Sequence, residues 1–333
     1  MRVLKWVGRG SGALLLLGAL LFAVLWFKSW TPPIKGPDPI AELKTVPING
    51  DPQVMLIRGA DKSKPILFFL HGGPGMPMMF LGHKFQRPLE ADFVTIHWDR
   101  RASGKSWGDE DPAKMRISQY INDTVAAIRL ITRQLGQNKV ILVGHSHGSY
   151  LGAIVAARYP ELVHAFVGVG QVADEDEAFE VQKRELGRRF PATAVTMANR
   201  EKLLFESGSE IHGETSMWPL IRDGILAAEY SLRDVMNVAK GPQFASRHMQ
   251  YDVLDGPLED EITRFEIPVF IIMGKHDLVT PVSLARRYFR RIQAPQKHYF
   301  EFAQSSHFPM YEEPQRFAAV MRIIDEAANS KKP

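Results

Sequence analysis

Residues 140–150 read VILVGHSHGSY, and this stretch decides the fold of the chain. Four aliphatic residues predict a buried strand, and the pattern Gly-X-Ser-X-Gly follows it almost at once. In a sharp turn from strand to helix, Gly144 and Gly148 leave room for neighbouring backbone, while Ser146 exposes its hydroxyl above the sheet. Apolar residues recur at helical spacing after the turn. The stretch therefore predicts a strand, a turn and a helix around a nucleophilic serine.

The composition excludes several classes of function. Four basic residues in the first 29 positions, where no acid occurs, account for the whole net charge of +4. The rest of the chain is neutral and offers no general surface for polyanions, so nucleic acid is not expected as a partner. The chain has no cysteine, which excludes disulfide bonds, thiolate zinc sites and a cysteine nucleophile.

Residues 1–30 predict a membrane anchor or a signal. Residues 10–27 carry no charge and are mostly aliphatic, which suits a short transmembrane helix. The basic residues before them favour an N-terminus inside the cytoplasm and a catalytic body outside it. One alternative is a cleaved signal peptide and a secreted protein, and another is a buried helix. We expect a single-pass, membrane-anchored protein with the membrane as a partner, and then a linker over residues 31–45.

The remaining chain alternates predicted strands and helices. A first hairpin is predicted over residues 46–58, and buried strands over residues 65–70, 92–98, 140–143, 162–169, 269–273 and 298–302. After residue 172 the strand pattern disappears and charged helical stretches replace it. We therefore expect an α/β fold whose core comprises residues 46–172 and 262–333, with helices flanking a mostly parallel sheet. Residues 173–261 are expected to form a helical cap.

Three polar residues in loops after predicted strands form a candidate catalytic triad. A serine hydroxyl needs a base to take its proton, and the base needs an acid that fixes its tautomer. Ser146, Asp277 and His307 occur in this order along the chain. His276 is a weaker candidate for the base because it adjoins the acid and precedes it. The three residues predict acyl transfer through an acyl-enzyme.

A glycine-rich loop, HGGPG, lies at residues 71–75 directly after a predicted strand. Its glycines allow backbone N–H groups to point at a ligand, so this loop and the N–H of His147 are predicted to hold an oxyanion. His145 and His147 have no further ligand nearby, so we expect no metal. The sequence GKS at residues 104–106 lacks the glycine that a phosphate loop requires five residues earlier, and no cofactor is expected.

The cap contains candidate substrate contacts of two kinds. Glu177 and Glu180 belong to an acidic cluster where the cap begins. This cluster is either a solvated helix start that complements the helix dipole or a patch that binds a substrate amine. Trp218 is one of the apolar cap residues, which form either a substrate pocket or ordinary core. We therefore consider Glu177, Glu180 and Trp218 as candidate substrate-binding residues.

These motifs resemble the α/β-hydrolase superfamily and, within it, the proline iminopeptidase-like branch. The resemblance covers residues 46–328. Its motifs are HGGPG at residues 71–75, GHSHGS at residues 144–149, Asp277, and SHFP at residues 306–309. The resemblance implies an α/β-hydrolase fold with an inserted cap, and a serine hydrolase that needs no cofactor.

The resemblance also implies roles for single residues. Gly73 and His147 would supply the oxyanion N–H groups, and Gly72 lies next to Gly73 in the glycine-rich loop. Members of this branch use glutamates of the cap to bind the free N-terminal amine of the substrate. The chain departs from the branch at residues 99–102, which read DRRA where those peptidases have a DQRG type of segment. It also has GHSHGS where they usually have GGSWGS.

Three functions are compatible with these observations. The first is proline iminopeptidase-like hydrolysis of an amide or peptide bond in a small molecule or short peptide. The second is a carboxylesterase or lipase acting on small or lipid esters. The third is a non-catalytic binding protein of the same fold, although such proteins tend to lose members of the triad. Dehalogenases and typical epoxide hydrolases of this fold place an aspartate where this chain has Ser146.

Overall fold

The computed structural model describes residues 2–108, 110–191 and 195–330, with side chains from residue 14 onward. Three of the predicted segments extend beyond these limits. The first residues of the N-terminal anchor, residues 192–194 of the cap and residues 331–333 of the core lie outside the described part. The fold and the site below are built from the described residues.

Eight strands form a single sheet. They are β1 (Ile40–Ile48), β2 (Asp51–Gly59), β3 (Ile66–Leu70), β4 (Val94–Asp99), β5 (Val140–His145), β6 (Val163–Val169), β7 (Val269–Gly274) and β8 (Lys297–Phe302). Their order in the sheet is β1-β2-β4-β3-β5-β6-β7-β8. The pairs β1–β2 and β2–β4 are antiparallel, and every other pair is parallel. The sheet is therefore mostly parallel, as the sequence predicts.

The first strand begins earlier than the predicted core. Strand β1 starts at Ile40, inside the segment that was assigned to the linker. It pairs with β2 along its whole length, and the two strands are joined through Asn49 and Gly50, which both have positive φ. An Asn-Gly turn of this kind favours a tight hairpin. The hairpin therefore extends the ordered pairing back to Ile40.

Helices cover both faces of the sheet. In the described residues they are α1 (Arg2–Phe27), α2 (Met79–Phe85), α3 (Ile117–Leu135), α4 (His147–Arg158), α5 (Glu175–Leu186), α6 (Arg200–Glu206), α7 (Trp218–Leu226), α8 (Leu232–His248), α9 (Leu258–Glu261), α10 (Val282–Arg291), α11 (Pro309–Glu312) and α12 (Pro314–Asn329). Helices α3, α4 and α10 pack on one face, and α2 and α12 pack on the other. Helices α5 to α9 lie between β6 and β7, where the cap is predicted.

Strand β5 shows why residues 140–143 lack the alternation of a half-exposed strand. Val140 and Leu142 belong to the apolar cluster on one face of the sheet, while Ile141 and Val143 belong to the cluster on the other. A parallel strand covered by helices on both sides buries every side chain and is therefore apolar throughout. This central position brings the end of β5 to the middle of the sheet's C-terminal edge.

The cap touches the C-terminal edge of the sheet through bare backbone. A Cβ atom on Gly75, in the loop after β3, would lie 2.5 Å from the carbonyl oxygen of Gly241 in α8. A Cβ atom on Gly241 would lie 2.2 Å from the carbonyl oxygen of Gly75. Only glycine at both positions permits this approach, because a Cβ atom almost never comes so close to a backbone oxygen. Helix α8 is therefore in direct contact with the glycine-rich loop.

The predicted transmembrane helix and the membrane-anchored location are wrong. Among the described residues, no helix is both long enough and apolar enough to cross a membrane. The membrane was expected as a partner only because of this span, so that expectation is withdrawn with it.

The chain after α1 runs along the body of the protein. The Thr31 hydroxyl donates a hydrogen bond of 3.0 Å to Glu229, which follows α7 in the cap. Arg58 in β2 donates from Nη1 to the carbonyl oxygen of Pro32 at 2.6 Å. These bonds hold the first residues of the predicted linker against both the cap and the sheet.

Candidate active site

Ser146 lies in a strained turn between β5 and α4. Its φ is 54° and its ψ is −126°, a conformation that a non-glycine residue rarely adopts. A Cβ atom on Gly144 would lie 2.3 Å from the carbonyl oxygen of Gly148, and one on Gly148 would lie 2.1 Å from that of Leu70. The two glycines therefore permit the close packing that forces the turn. Strain of this kind is typical of functional sites.

The hydroxyl of Ser146 is free to react. Ser146 is half-buried, whereas the residues on both sides of it are buried. Its backbone N–H donates to the carbonyl oxygen of Val169 at 2.9 Å, which fixes the turn against β6. Its Oγ has no hydrogen-bond partner among the described residues. The turn thus presents an unoccupied hydroxyl at the edge of the sheet.

Asp277 and His307 form a buried pair. Asp277 follows β7, His307 follows β8, and the distance from His307 Nδ1 to Asp277 Oδ2 is 2.9 Å. Thr280 donates to the same carboxylate from Oγ1 at 2.8 Å and from its backbone N–H at 2.9 Å. Because a carboxylate only accepts, Nδ1 of His307 carries the proton. This tautomer leaves Nε2 unprotonated and able to act as a base.

The contacts of His307 place it near the serine turn. A Cβ atom on Gly170, directly after β6, would lie 2.9 Å from His307 Cε1 and 3.5 Å from Asp277 Oδ2. His145, the residue before Ser146, bonds through Nε2 to the carbonyl oxygen of His307 at 2.9 Å. The structure thus brings Asp277 and His307 to the same edge of the sheet as Ser146. Catalytic hydrogen bonds between such groups often tighten only when substrate binds.

The pKa of His307 leads to a prediction about the pH dependence of activity. Burial alone would lower this pKa, but the Asp277 carboxylate, with Glu210 and Glu312, outweighs burial and raises the pKa above 6.5. Since a general base acts when neutral, we expect kcat/KM to fall as the pH drops through a value above 6.5. A pH–rate profile with an uncharged ester checks this. An acidic limb below 6.5 would contradict the assigned base.

The candidate oxyanion groups lie beside Ser146. A Cβ atom on Gly72 would lie 3.0 Å from the Cβ atom of Ser146, so the loop after β3 passes directly over the turn. Gly73 has a φ of 101°, which suits glycine and turns the following backbone sharply. His147 is the first residue of α4, where a backbone N–H has no acceptor within the helix. The glycine-rich loop and the start of α4 therefore both lie next to Ser146, and the oxyanion role of their N–H groups stays a prediction.

The imidazole of His147 has a separate environment. It is buried and stacks on Tyr150 with ring centroids 5.9 Å apart, and neither ring nitrogen has a hydrogen-bond partner in the described part of the chain. Burial and the nearby Arg100 lower the pKa of His147 to about 3. The ring is therefore neutral and serves as packing, while the backbone of His147 faces the turn.

Glu210 lies beside the candidate base and is not marked by the sequence analysis. It lies in the turns between α6 and α7, and its carbonyl oxygen accepts a hydrogen bond of 3.0 Å from the backbone N–H of His307. Its side chain is half-buried, and burial raises the pKa of its carboxyl to about 7, while His307 acts in the opposite direction. The cap therefore places an acid beside the candidate base. No spacing in the sequence marks Glu210, because the contact joins two distant segments.

The predicted substrate contacts of the cap lie elsewhere. Glu177 at the start of α5 accepts hydrogen bonds from Arg287 at 2.9 and 2.6 Å. Glu180 is exposed on the same helix, and Trp218, the first residue of α7, is 61% exposed. No contact in the described part of the chain links these three residues to Ser146, Asp277 or His307. Their role in substrate binding stays a prediction.

Three acidic side chains at the start of the cap lie close enough together to suggest a cation site. One oxygen each of Asp174, Glu177 and Glu259 lies close enough to the others to hold a cation. Arg287 already forms ion pairs with Glu177 and Glu259, so these acids are neutralised within the protein.

The weaker base candidate, His276, is exposed and stacks on the ring of His212 with centroids 4.0 Å apart. It makes no described contact with the Asp277 side chain.

Comparison with known proteins gives the family of this chain. A family model described as the alpha/beta hydrolase fold matches residues 65–314. The chain therefore belongs to the α/β-hydrolase fold family, and it is a hydrolase. The predicted family and enzyme class are thus confirmed.

Individual relatives agree with the predicted branch. The chain is 28% identical to a probable aminopeptidase of Bacillus subtilis, over 84% of this chain and 94% of the relative. It is 22% identical to a proline iminopeptidase of Saccharolobus solfataricus, over 81% and 87%. The crystal structure of a proline iminopeptidase from Mycobacterium smegmatis superposes with a TM-score of 0.59 and 20% identity, covering 86% of this chain and 98% of that one. The resemblance to the proline iminopeptidase-like branch is therefore supported across most of the chain.

Proposed function

We propose that this hydrolase cleaves the amide bond next to a free amino terminus, through a serine nucleophile and an acyl-enzyme. The observation that carries the proposal is the buried Asp277–His307 pair, 2.9 Å apart, at the edge where Ser146 is held at positive φ. Enzymes that transfer acyl groups through a serine use this arrangement, in which an acid holds the base in one tautomer next to the serine. The similarity to aminopeptidases supports the choice of an amide as substrate.

The first half of the reaction forms the acyl-enzyme. His307 Nε2 takes the proton of the Ser146 hydroxyl as Oγ forms a bond to the substrate carbonyl carbon. The carbonyl oxygen becomes an oxyanion, which accepts hydrogen bonds from the backbone N–H groups of Gly73 and His147. When the carbon–nitrogen bond breaks, the protonated His307 returns its proton to the leaving amine. Asp277 remains ionised and stabilises the imidazolium.

The second half releases the acid. A water molecule replaces the departed amine, and His307 takes one of its protons while the water oxygen attacks the ester carbon. The same N–H groups hold the second oxyanion. The bond to Ser146 Oγ then breaks, and Oγ recovers the proton from His307. The products are a free amine and a carboxylic acid, and the enzyme returns to its starting state.

Glu210 is proposed to bind the free amine of the substrate. Its half-buried carboxyl lies on the cap side of His307, and burial raises its pKa to about 7. An ammonium group beside it would favour the ionised carboxylate and form a charge-assisted hydrogen bond. Such a pair would select substrates with a free amino terminus at the right distance from Ser146.

A Glu210→Gln substitution separates this role from the chemistry. At a pH above the acidic limb, we expect kcat/KM for proline β-naphthylamide to fall roughly 30-fold or more, as for the loss of a buried charge pair, with an ester that lacks an amine unaffected. Glu214→Gln is the matched control, because Glu214 is an exposed acid in the same segment. Equal losses for both substrates would show that Glu210 does not bind the amine.

The same assay decides between the proposed function and its alternatives. Turnover of proline β-naphthylamide is expected, together with labelling of Ser146 by a fluorophosphonate. Turnover of a short-chain p-nitrophenyl ester without any amide hydrolysis would favour the carboxylesterase or lipase alternative. A protein that neither turns over these substrates nor reacts with the fluorophosphonate would favour the non-catalytic binding protein.

A further inference from the structure

Arg100 is a buried cation that forms no ion pair with any described residue. It follows β4, and only 1% of its surface is exposed. Among the described residues it forms no ion pair, and its Nη1 has no hydrogen-bond partner. The neighbouring Arg101 is also buried but pairs with Asp51 and Asp123. A buried charge is normally paired, so the isolated guanidinium of Arg100 requires an explanation other than stability.

The guanidinium of Arg100 binds the glycine-rich loop. Its Nη2 donates to the carbonyl oxygen of His71 at 2.5 Å and lies 3.4 Å from that of Gly72. Its Nε and its backbone N–H both donate to Nε2 of His71, at 3.2 and 3.3 Å. Nδ1 of His71 lies 2.9 Å from the Gly72 carbonyl oxygen and 3.1 Å from Nη2 of Arg100, so the guanidinium contacts both nitrogens of the ring. The loop is therefore fixed from the side that faces Arg100.

The Gly72 carbonyl oxygen lies 2.9 Å from Nδ1 of His71 and 3.4 Å from Nη2 of Arg100, and the direction of this carbonyl sets that of the Gly73 N–H. The carbonyl of Gly72 and the N–H of Gly73 belong to one planar trans peptide, in which the two groups point in opposite directions. Since the Gly72 carbonyl faces Arg100, the Gly73 N–H faces away from it. Ser146 lies close to this peptide, because a Cβ atom on Gly72 would be 3.0 Å from that of Ser146.

The charge of Arg100 acts on the same peptide. Burial lowers the pKa of Arg100 to about 10, so the guanidinium is still protonated at neutral pH. Its Cζ lies 5.3 Å from the ring centroid of Tyr120, which covers one side of it with an aromatic face. In such low-dielectric surroundings a cation near a carbonyl oxygen polarises the peptide and strengthens its N–H as a donor.

We propose that Arg100 is a positioning residue of the oxyanion hole. It holds the Gly72–Gly73 peptide with its N–H toward the reacting carbonyl and makes that N–H a stronger donor. This inference depends on the proposed function, because it requires an oxyanion next to Ser146. It also gives a role to the departure from the peptidase branch at residues 99–102, where this chain has arginine in place of glutamine.

Substitutions at Arg100 test this role in the full-length protein. Arg100→Met removes both the charge and the fork of donors, and Arg100→Gln keeps an amide donor without the charge. The kcat and KM for a p-nitrophenyl ester are measured per active site, counted by titration with a fluorophosphonate. We expect Arg100→Met to lower kcat about 10- to 100-fold, with KM changed less than about threefold. Arg101→Lys, which keeps the charge of the structural arginine, is expected to retain kcat per site.

The outcomes separate this inference from the proposed function. A wild-type protein that the fluorophosphonate does not label at Ser146 would overturn both. A labelled wild type together with an Arg100→Met variant of unchanged kcat per site would overturn the role of Arg100 alone. If Arg100→Met does not fold, the Gln variant decides by the same measurement, because a purely structural role reduces the number of active sites and leaves kcat per site unchanged.

Discussion

A Ser146→Ala variant is expected to lose both fluorophosphonate labelling and nearly all turnover, with kcat lower by roughly 10⁵- to 10⁶-fold. The loss is this large because the serine and the base act as one unit, and neither is effective alone. The hydroxyl three residues on cannot substitute, since Ser149 Oγ donates to the Ser146 carbonyl oxygen at 2.6 Å. The rate of p-nitrophenyl ester hydrolysis and the mass of the labelled peptide measure the effect.

Ser118→Ala is a suitable control for this experiment. Ser118 lies on α3, and its hydroxyl donates to Asp252 at 2.6 Å, away from the turn at Ser146. This variant should be labelled and should hydrolyse the ester at close to the wild-type rate. Thermal unfolding of both variants shows whether they remain folded. A folded Ser146→Ala protein with wild-type turnover would falsify the serine mechanism.

A His307→Ala variant should lose about as much activity as the serine variant, roughly 10⁵-fold in kcat. Without the imidazole, the proton of the Ser146 hydroxyl has no acceptor, and the buried Asp277 carboxylate loses its partner at 2.9 Å. KM should change little, because the imidazole acts on the proton and not on substrate binding. Steady-state kinetics with the same ester separate the two parameters.

His276→Ala is the matched control for His307. The two histidines compete as base candidates in the sequence, but His276 is exposed and stacks on His212 with ring centroids 4.0 Å apart. Its removal should leave kcat within about threefold of the wild-type value. Loss of activity in His276→Ala, with activity kept in His307→Ala, would reverse the assignment of the base.

Local sequence patterns were sufficient to predict the central strand, the mostly parallel sheet and the turn at Ser146. The uniform apolar run at residues 140–143 predicted a strand buried on both faces, and β5 (Val140–His145) has that environment. The alternation of strands and helices predicted a mostly parallel sheet, and the glycine spacing around Ser146 predicted the turn. Each of these inferences depends on the chain within about ten residues, where steric limits and burial dominate.

Features that depend on contacts between distant segments were not predictable. Glu210 reaches the edge of the sheet only because the cap folds back over His307, whereas the acids chosen from the sequence belong to α5. Glu177 had a sequence pattern in its favour, but its carboxylate pairs with Arg287. The cap has few strand or turn patterns, and a helix does not reveal from its sequence which neighbour it will contact.

The segment before residue 30 shows a different limit of sequence reasoning. The membrane span is predicted from the lack of charge and the aliphatic character of residues 10–27, together with the basic residues before them. The described part of the chain contains no helix that meets both requirements for a span, length and apolar character. An uncharged stretch near the lower length limit for a span, such as residues 10–27, is therefore weak evidence for a membrane anchor.

The contact between Gly75 and Gly241 couples the position of α8 in the cap to the position of the glycine-rich loop. A side chain at an interface can change its rotamer and absorb a small shift, but two bare backbones cannot. A displacement of α8 is therefore transmitted to the loop that carries Gly73. Whatever holds α8 in place therefore also holds the glycine-rich loop in place. Substrate that fills the cap would in this way also complete the site beneath it.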